Sequence, residues 1–235
     1  NENMVDEVLA KAKELKGLTA EECAVLLNQN DEEILNRLFE TARFVKDTIY
    51  GKRLVFFAPL YLANYCSNNC TYCAFRASNK EMKRKILSKE EIEEQVKILL
   101  SQGQKRLMVL TGEHPSKSPL DYLLEAIETI YKVKEGNSEI RRINVEVAPL
   151  KIDDFKRLKS AKIGTYVCFQ ETYHPDTYKK VHPSGKKADY EWRLNVMDRA
   201  IKGGIDDFGI GVLYGLNDYR FEVLSLLYHA KHLDE

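Results

Sequence analysis

The chain has 235 residues, of which 44% are hydrophobic, 10% aromatic and 31% charged. This length fits one large domain or a domain with a modest extension, and the apolar content suffices for a buried core, which excludes a disordered or fibrous protein. Thirty-six Lys and Arg residues balance 36 Asp and Glu residues, so no net charge attracts the chain to nucleic acid or to an anionic membrane.

The sequence predicts neither a membrane span nor a secreted protein. The longest nearly apolar run, residues 54–63, is about half as long as a membrane span requires and contains Pro59. The first residues have no basic start and no apolar stretch of the kind found in secretory signals. Five cysteines, three of them within eight residues, are unlike a disulfide framework and favour a reducing cytoplasm.

Residues 1–50 predict a helical extension of about three helices. Thr19 and Glu22 form a capping box, and Asp31 is a good first residue for a helix. Residues 54–63 then predict the first buried strand, rich in aromatic and β-branched side chains. A long loop with three cysteines follows this strand.

Beyond this loop, helices and strands alternate, beginning at a capping box formed by Ser88 and Glu91. The predicted helices are residues 88–102, 119–134, 152–162, 189–202 and 218–233. The predicted strands are residues 106–111, 143–148, 166–171 and 208–214, with a polar loop before residue 189.

Five strand and helix pairs in succession predict a parallel sheet with right-handed crossovers. A doubly wound sheet and a (β/α) barrel both have this order of elements, and spacing alone does not separate them. The last helix carries apolar residues that a following strand would cover, which favours a barrel cut short after about five units. The prediction is therefore an α/β protein with a helical extension at residues 1–50 and an incomplete (β/α) barrel at residues 51–235.

Cys66, Cys70 and Cys73 lie in the loop after the first predicted strand, at a spacing that lets three thiolates converge on one centre. A structural zinc site usually has four ligands in two separated pairs, and no Cys or His nearby in the sequence completes that pattern. Three thiolates on a 4Fe–4S cube leave one iron open, and substrate chemistry occurs at an open metal position. Cys23 and Cys168 are predicted to be inert thiols.

The cysteine spacing, with an aromatic residue just before the third cysteine, resembles the cluster motif of the radical S-adenosylmethionine (SAM) superfamily. This resemblance implies a radical SAM (β/α) TIM-like barrel, with a 4Fe–4S cluster on Cys66, Cys70 and Cys73. In that superfamily the amino and carboxylate groups of SAM bind the open iron, and the reduced cluster cleaves SAM to methionine and a 5′-deoxyadenosyl radical.

The resemblance also implies SAM contacts at the ends of the strands, where a barrel carries its active site. Thr111, Gly112 and Glu113 resemble a Gly-Gly-Glu segment of the superfamily, with Thr111 in place of the first glycine. Relatives of biotin synthase place an arginine where Arg193 lies, and an arginine fork suits the SAM carboxylate. The implied SAM-binding residues are Tyr72, Thr111, Gly112, Glu113, Glu171, Arg193 and Ile210, with Tyr72 and Ile210 near the adenine; no catalytic side chain is assigned.

Several further segments are similar to the aromatic amino-acid lyases of the superfamily, namely residues 58–61, 169–174, 181–185, 187–190 and 206–219. They resemble the tyrosine lyases of FeFe-hydrogenase maturation more than the 2-iminoacetate synthases of thiamine biosynthesis. The first group implies cleavage of the Cα–Cβ bond of L-tyrosine to p-cresol and dehydroglycine, the precursor of the CO and cyanide ligands of the hydrogenase active site.

The same resemblance implies a second iron–sulfur cluster in a C-terminal domain outside this sequence. It also implies a reducing partner such as ferredoxin or flavodoxin, together with other hydrogenase maturation proteins. Since the last barrel strands are missing from the sequence, we expect this chain alone to bind a cluster but to catalyse poorly or not at all. A plain electron-transfer iron–sulfur protein and a zinc-stabilised binding module are the alternatives.

Two polar features receive structural interpretations. The basic run at residues 80–85 is expected to be a solvated loop, with a ferredoxin docking patch as the less favoured alternative. His174 and His182 are expected to be surface residues, with proton transfer near a site as the alternative.

Overall fold

The computed structural model describes residues 2–235 of the chain, which divide into two compact units. One unit comprises the chain up to Val55 together with Asn217–Glu235, and the other comprises Phe56–Leu216.

The described residues form helices and short strands in alternation. The helices are α1 (Glu2–Ala12), α2 (Ala20–Leu27), α3 (Glu32–Tyr50), α4 (Lys89–Ser101), α5 (Leu120–Lys132), α6 (Ile152–Ser160), α7 (Pro175–Val181), α8 (Tyr190–Leu194), α9 (Val196–Lys202) and α10 (Tyr219–Asp234). The strands are β1 (Ala58–Ala63), β2 (Arg106–Thr111), β3 (Lys134–Glu135), β4 (Ser138–Glu139), β5 (Arg142–Glu146), β6 (Tyr166–Val167) and β7 (Phe208–Gly209).

The first unit is helical, as the sequence predicts for its N-terminal part. α1 packs against α2 and α3, and α10 packs against α2. The predicted capping box is present at the start of α2, where the Glu22 amide donates to Thr19 Oγ1 and the Thr19 amide donates to Glu22 Oε2. α10 was predicted as the helix after the last barrel strand, and its contacts group it with these N-terminal helices.

The second unit is built on a five-stranded sheet of order β1-β2-β5-β6-β7, in which every neighbouring pair is parallel. Spatial order therefore follows chain order. A doubly wound sheet reverses its strand order near the middle, so the observed topology fits the (β/α) barrel and not that alternative.

Alternate residues of the central strands form the core beneath the helices. Leu107 and Val109 of β2 and Val145 of β5 are fully buried, as is Phe155 of α6. Because successive strand side chains point to opposite faces, the intervening residues, such as Glu146, face away from these helices. The strand ends can therefore present polar groups on the face opposite the helix-covered core.

The first strand is shorter than predicted. Residues 54–57 lie outside β1, and their large apolar side chains are 50–72% exposed. Apolar and β-branched composition marks a segment that tends to be buried, but a strand also needs a hydrogen-bonded neighbour. Among the described residues, β2 provides that neighbour only from Ala58 onward.

The last two predicted strands are also shorter, because regular pairing ends at Val167 and Gly209. The two segments nevertheless continue side by side: the Gln170 amide donates to the Gly211 carbonyl at 3.0 Å. Glu171 has a φ of 71°, in the left-handed region that interrupts an extended strand.

The polar loop predicted before residue 189 is partly helical. It contains α7, which begins with Pro175 after His174, and a short 3-10 turn at Lys186–Ala188. The His174 side chain accepts a hydrogen bond from the Thr177 amide, a capping role that composition alone does not indicate. The predicted helix at residues 189–202 is divided at Asn195 into α8 and α9.

The predicted helix at residues 119–134 ends early, and a hairpin of β3 and β4 follows it. Gly136 in the hairpin turn has a φ of 56°, which glycine adopts without strain. No described helix is long and apolar enough to cross a membrane.

The capping box of α4 allows a test of how this fold is stabilised. Ser88 accepts from the Glu91 amide, and the Ser88 amide donates to the Glu91 carboxylate. We expect Ser88→Ala to lower the free energy of unfolding by about 1 kcal/mol, since the first turn loses a partner for its amide. Urea denaturation measures the change. The matched variant Ser88→Asp keeps an acceptor and should remain near the parent value; equal losses in both variants would contradict the capping explanation.

Candidate functional site

The three clustered cysteines lie in an irregular segment, residues 64–85, called here the cysteine loop. It leaves and returns at the same point of the sheet. The Asn64 amide donates to the Lys85 carbonyl at 3.1 Å, and the Leu87 amide donates to the Leu62 carbonyl at 2.9 Å. The carboxyl end of β1 thus holds both ends of the loop.

Arg84 closes the cysteine loop from within. Its guanidinium donates to the carbonyl oxygens of Asn64, Phe75, Arg76 and Asn79 at 2.6–3.2 Å. The basic run at residues 80–85 was expected to be solvated, and Lys80, Lys83 and Lys85 are exposed, but Arg84 is part-buried. The expectation is therefore wrong for Arg84, because unpaired loop carbonyls need donors and a guanidinium supplies several.

The three cysteines share one environment. Cys70 is buried, and Cys66 and Cys73 are half-buried. Burial raises the pKa of the Cys70 thiol; Lys187 opposes this, and the Cys73 and Cys66 sulfurs add to the rise. Within residues 2–235, no three Cys, His, Asp or Glu side chains converge on a position for a single metal ion. A 4Fe–4S cube does not need such convergence, because each thiolate binds a different iron.

A second segment, residues 181–187, lies along the cysteine loop and is called here the strap. The Thr71 amide donates to the Val181 carbonyl at 2.9 Å, and the Asn69 amide donates to the Ser184 carbonyl at 3.2 Å. The Asn69 side-chain amide also donates to Ser184 Oγ at 2.9 Å. The strap thus supplies acceptors to backbone groups between the cysteines.

Asn68 joins the strap to the end of β2. Its side chain is almost fully buried; Oδ1 accepts from the Lys187 amide at 3.0 Å, and Nδ2 donates to Glu113 Oε2 at 2.6 Å. Gly185 passes so close that an added Cβ would lie 2.2 Å from Asn68 Oδ1, and its φ of 95° also favours glycine. Three distant segments therefore meet at one buried amide.

The predicted segment at the end of β2 contacts the cysteine loop directly. The Glu113 carbonyl accepts from the Ser67 amide at 2.8 Å, and the Gly112 amide donates to Ala63 at 2.9 Å. A Cβ on Gly112 would lie 2.2 Å from the Tyr65 carbonyl oxygen. Only glycine therefore fits at residue 112, and Thr111 ends β2 immediately before it.

Glu171 and Arg193 lie close together, as expected for residues of one site. Arg193 is buried; its Nε donates to the Phe169 carbonyl at 2.6 Å, and its NH2 lies 3.5 Å from Glu171 Oε1. Glu171 Oε1 also accepts from Lys187 Nζ at 2.7 Å. Arg193 and Lys187 therefore bring two cations to one carboxylate close to the Cys70 thiol.

Sequence reasoning assigned no role to Glu146, which lies at the end of β5. Burial raises the pKa of its carboxyl group, and the negative charge of Glu171 raises it further. The signal in the sequence was a charged residue alternating with the buried strand residues Ile143 and Val145.

Tyr72 contacts the strap through His182. Its hydroxyl lies 2.8 Å from His182 Nε2, and the two rings meet edge to face. Lys187 Nζ lies 5.6 Å from the centre of the Tyr72 ring. Burial, with Lys187 nearby, lowers the pKa of His182 to about 4. His182 is 1% exposed, so its expected surface position is wrong: helix α7 ends there and turns it inward.

Ile210 lies farther along the sheet. It follows β7, between Gly209 and Gly211, and it is half-buried. A Cβ on Gly211 would lie 2.8 Å from the Phe169 ring, so small residues are needed where these segments run together. The implied contact of Ile210 with adenine remains a prediction.

The donor set fits the group that the sequence resemblance implies. The cysteine loop contains three soft thiolates and no fourth Cys or His. This donor set suits a cube with one open iron. The glycine at residue 112 lets the end of β2 approach the backbone of the cysteine loop, and Arg193 and Lys187 complement an anion. Cys66, Cys70 and Cys73 would hold the cluster, and the surrounding polar groups would hold SAM.

Comparison with known proteins identifies similar chains. A family model described as the Radical SAM superfamily matches residues 60–227. A crystal structure of HydG, a maturase of the [FeFe]-hydrogenase, is 52% identical with a TM-score of 0.98, over 100% of this chain and 51% of that chain. HydG from Carboxydothermus hydrogenoformans is 45% identical with a TM-score of 0.90, over 99% of this chain and 53% of that chain.

Among curated proteins, 2-iminoacetate synthase of Escherichia coli (strain K12) is 34% identical over 219 residues, which is 93% of this chain and 56% of that protein. The chain thus spans about half the length of these relatives. The structural matches confirm the predicted radical SAM (β/α) TIM-like fold.

The contact at Gly112 generates a test of the site. We expect Gly112→Ala to reduce the iron bound after anaerobic reconstitution with iron and sulfide, because the added methyl would displace the Tyr65 carbonyl and the cysteine loop behind it. Metal analysis and absorbance measure the loss. Gly103→Asn is the control, since no atom lies near that position and Asn tolerates its positive φ. Full iron loading of Gly112→Ala would contradict this account of the site.

Proposed function

Since the chain belongs to the radical SAM superfamily, we propose that Cys66, Cys70 and Cys73 hold a 4Fe–4S cluster and that SAM binds beside it. When bound, the reduced cluster and SAM together supply a 5′-deoxyadenosyl radical. The observation that carries the proposal is the meeting of three thiols, the end of β2 and the Glu171 ion pairs at one edge of the sheet.

The residues around the cysteines have complementary roles in this proposal. Glu113 and the backbone at Gly112 face the methionyl ammonium, and Arg193 binds the carboxylate through the guanidinium donors that neither Phe169 nor Glu171 occupies. Glu171 accepts hydrogen bonds from ribose hydroxyls, with Lys187 fixing its position. Thr111 belongs with Gly112 and Glu113 at the methionyl ammonium, and Tyr72 and Ile210 contact the adenine.

The proposed reaction is cleavage of the Cα–Cβ bond of L-tyrosine, giving p-cresol and dehydroglycine as the precursor of CO and cyanide. The high identity with two HydG structures supports this assignment. The substrate is a small molecule, and in the complete protein the barrel interior would exclude water so that a reactive intermediate meets only its intended hydrogen. We propose a cytoplasmic enzyme that receives electrons from ferredoxin or flavodoxin.

The wider context is part of the same proposal. The complete protein would carry a second iron–sulfur cluster in a C-terminal domain and would act with other hydrogenase maturation proteins. A second candidate is a 2-iminoacetate synthase of thiamine biosynthesis, which the similarity to the Escherichia coli protein favours.

Cysteine variants test the cluster assignment. After anaerobic reconstitution, we expect Cys66→Ala, Cys70→Ala and Cys73→Ala each to lose most of the bound iron, because a cube held by two thiolates lacks a ligand. The matched controls Cys23→Ala and Cys168→Ala remove thiols outside the cysteine loop and should retain it. Iron and sulfide are measured per chain, and full loading of the three loop variants would refute the assignment.

Product analysis tests the reaction. With dithionite and SAM, the reconstituted chain is expected to release 5′-deoxyadenosine, which neither an electron-transfer protein nor a zinc module would produce. Adding L-tyrosine should yield p-cresol in the complete enzyme and little or none in this chain alone. Formation of CO and cyanide by the complete enzyme distinguishes the hydrogenase role from thiamine synthesis. Absence of 5′-deoxyadenosine despite a loaded cluster would overturn the proposal.

A further inference from the structure

We propose that His182 is a positioning residue for the SAM site, which acts by accepting a hydrogen bond from the hydroxyl of Tyr72 and so fixing the aromatic ring between two cysteine ligands. This inference rests on the proposed function, because it concerns the same cluster and the same ligand. It adds a residue from the strap, 109 positions after Cys73 in the sequence.

The hydrogen bonds of His182 define its tautomer. Nδ1 lies 2.9 Å from the backbone carbonyl oxygen of Tyr178, and a carbonyl can only accept. Nδ1 therefore carries the proton in a neutral ring, which leaves Nε2 as an acceptor. At 2.8 Å the partner of Nε2 is the hydroxyl of Tyr72, which must then donate.

Packing holds the imidazole in this orientation. The Tyr178 ring lies 4.0 Å from the His182 ring, centre to centre, and the Tyr72 ring lies at 5.6 Å, nearly perpendicular. Tyr178 is itself buried, and its hydroxyl donates to the Lys187 carbonyl at 2.6 Å. His182 Nε2, the acceptor for Tyr72, is thus held in place by Tyr178 of helix α7, which is itself bound to Lys187 of the strap.

Burial, followed by the charges around the ring, keeps His182 neutral. Lys187, over the face of Tyr72, opposes a second positive charge nearby, and it is itself held by Glu171. Arg193 also disfavours an imidazolium, whereas Glu171 favours one. The low pKa of His182 agrees with this balance, and a neutral imidazole is the form in which Nε2 can accept.

The hydrogen bond to His182 gives the hydroxyl group of Tyr72 a structural role. The cluster motif needs only an aromatic side chain before the third cysteine, which phenylalanine would satisfy. A tyrosine side chain has two main torsions, and a hydrogen bond at its tip restricts both, so that the ring face available to a ligand is set before the ligand arrives. The strap therefore determines the orientation of a side chain in the cysteine loop.

A double-mutant cycle tests this coupling. In reconstituted protein, SAM affinity is followed by the change that SAM causes in the electron paramagnetic resonance spectrum of the reduced cluster. Tyr72→Phe and His182→Leu should each weaken SAM binding about threefold to tenfold, the range expected for one hydrogen bond. The double variant should be no weaker than either single variant, because both remove the same interaction.

His182→Gln provides a rescue, since its side-chain oxygen can accept from Tyr72 and its nitrogen can donate to the Tyr178 carbonyl. We expect it to bind SAM more tightly than His182→Leu, whereas Tyr72→Phe with His182→Gln should show no such recovery. Losses that multiply in the double variant, or wild-type affinity in Tyr72→Phe, would overturn the inference.

A measurement on the protein before cluster loading examines the geometry by itself. Nitrogen-15 NMR of the histidine rings, assigned by the loss of one signal set in His182→Gln, should show His182 neutral with its proton on Nδ1 at neutral pH. A proton on Nε2, or on both nitrogens, would refute the proposed donor and acceptor roles.

Two controls separate this inference from the proposed function. Tyr131→Phe removes a hydroxyl bound to the Lys162 carbonyl, outside the site, and His232→Gln changes an exposed histidine of α10; both should match wild-type SAM affinity. If wild-type protein binds neither cluster nor SAM, the proposed function fails. If it binds both and the cycle shows additive losses, the role of His182 alone is refuted.

Discussion

The cysteine loop depends on one requirement, that the backbone of an irregular, partly buried segment must find hydrogen-bond partners. Neither a helix nor a strand satisfies the amides near Cys70, and the strap does so instead. Carbonyl groups of Val181 and Ser184 accept from Thr71 and Asn69. Asn68 extends the same network to the end of β2. Placement of the three thiols is therefore a property of long-range contacts, and the loop sequence alone does not determine it.

Local signals predicted most of the fold. The capping boxes at Thr19 and Ser88 mark real helix starts, because their hydrogen bonds join residues three positions apart. The parallel sheet followed from the alternation of elements, although choosing between barrel and doubly wound order required strand pairing. Errors arose where tertiary structure overrides composition: residues 54–57 are apolar without a strand partner, and α7 forms within a polar stretch.

The site could be predicted only in part, for a related reason. Motif resemblance pointed to Glu113, Glu171 and Arg193, and the structure brings these residues around the cysteine loop. It gave no role to Asn68 or Lys187, which take part in contacts between residues 119 and 16 positions apart in the chain. Gly185 was the available clue, since a glycine in a polar segment often marks a close backbone approach.

Arg84 has a consequence for the cluster site proposed above. One guanidinium binds carbonyl oxygens that span sixteen positions of the chain, from Asn64 to Asn79. These hydrogen bonds hold the backbone of the loop in its curved path. The cysteine loop would then be preorganised for a cluster, and little of the binding free energy would be lost in ordering the polypeptide. Lysine, a single point charge on a flexible stem, could not bridge so many acceptors at once. An arginine outside the set of proposed cluster ligands would thus ease insertion of the proposed cluster.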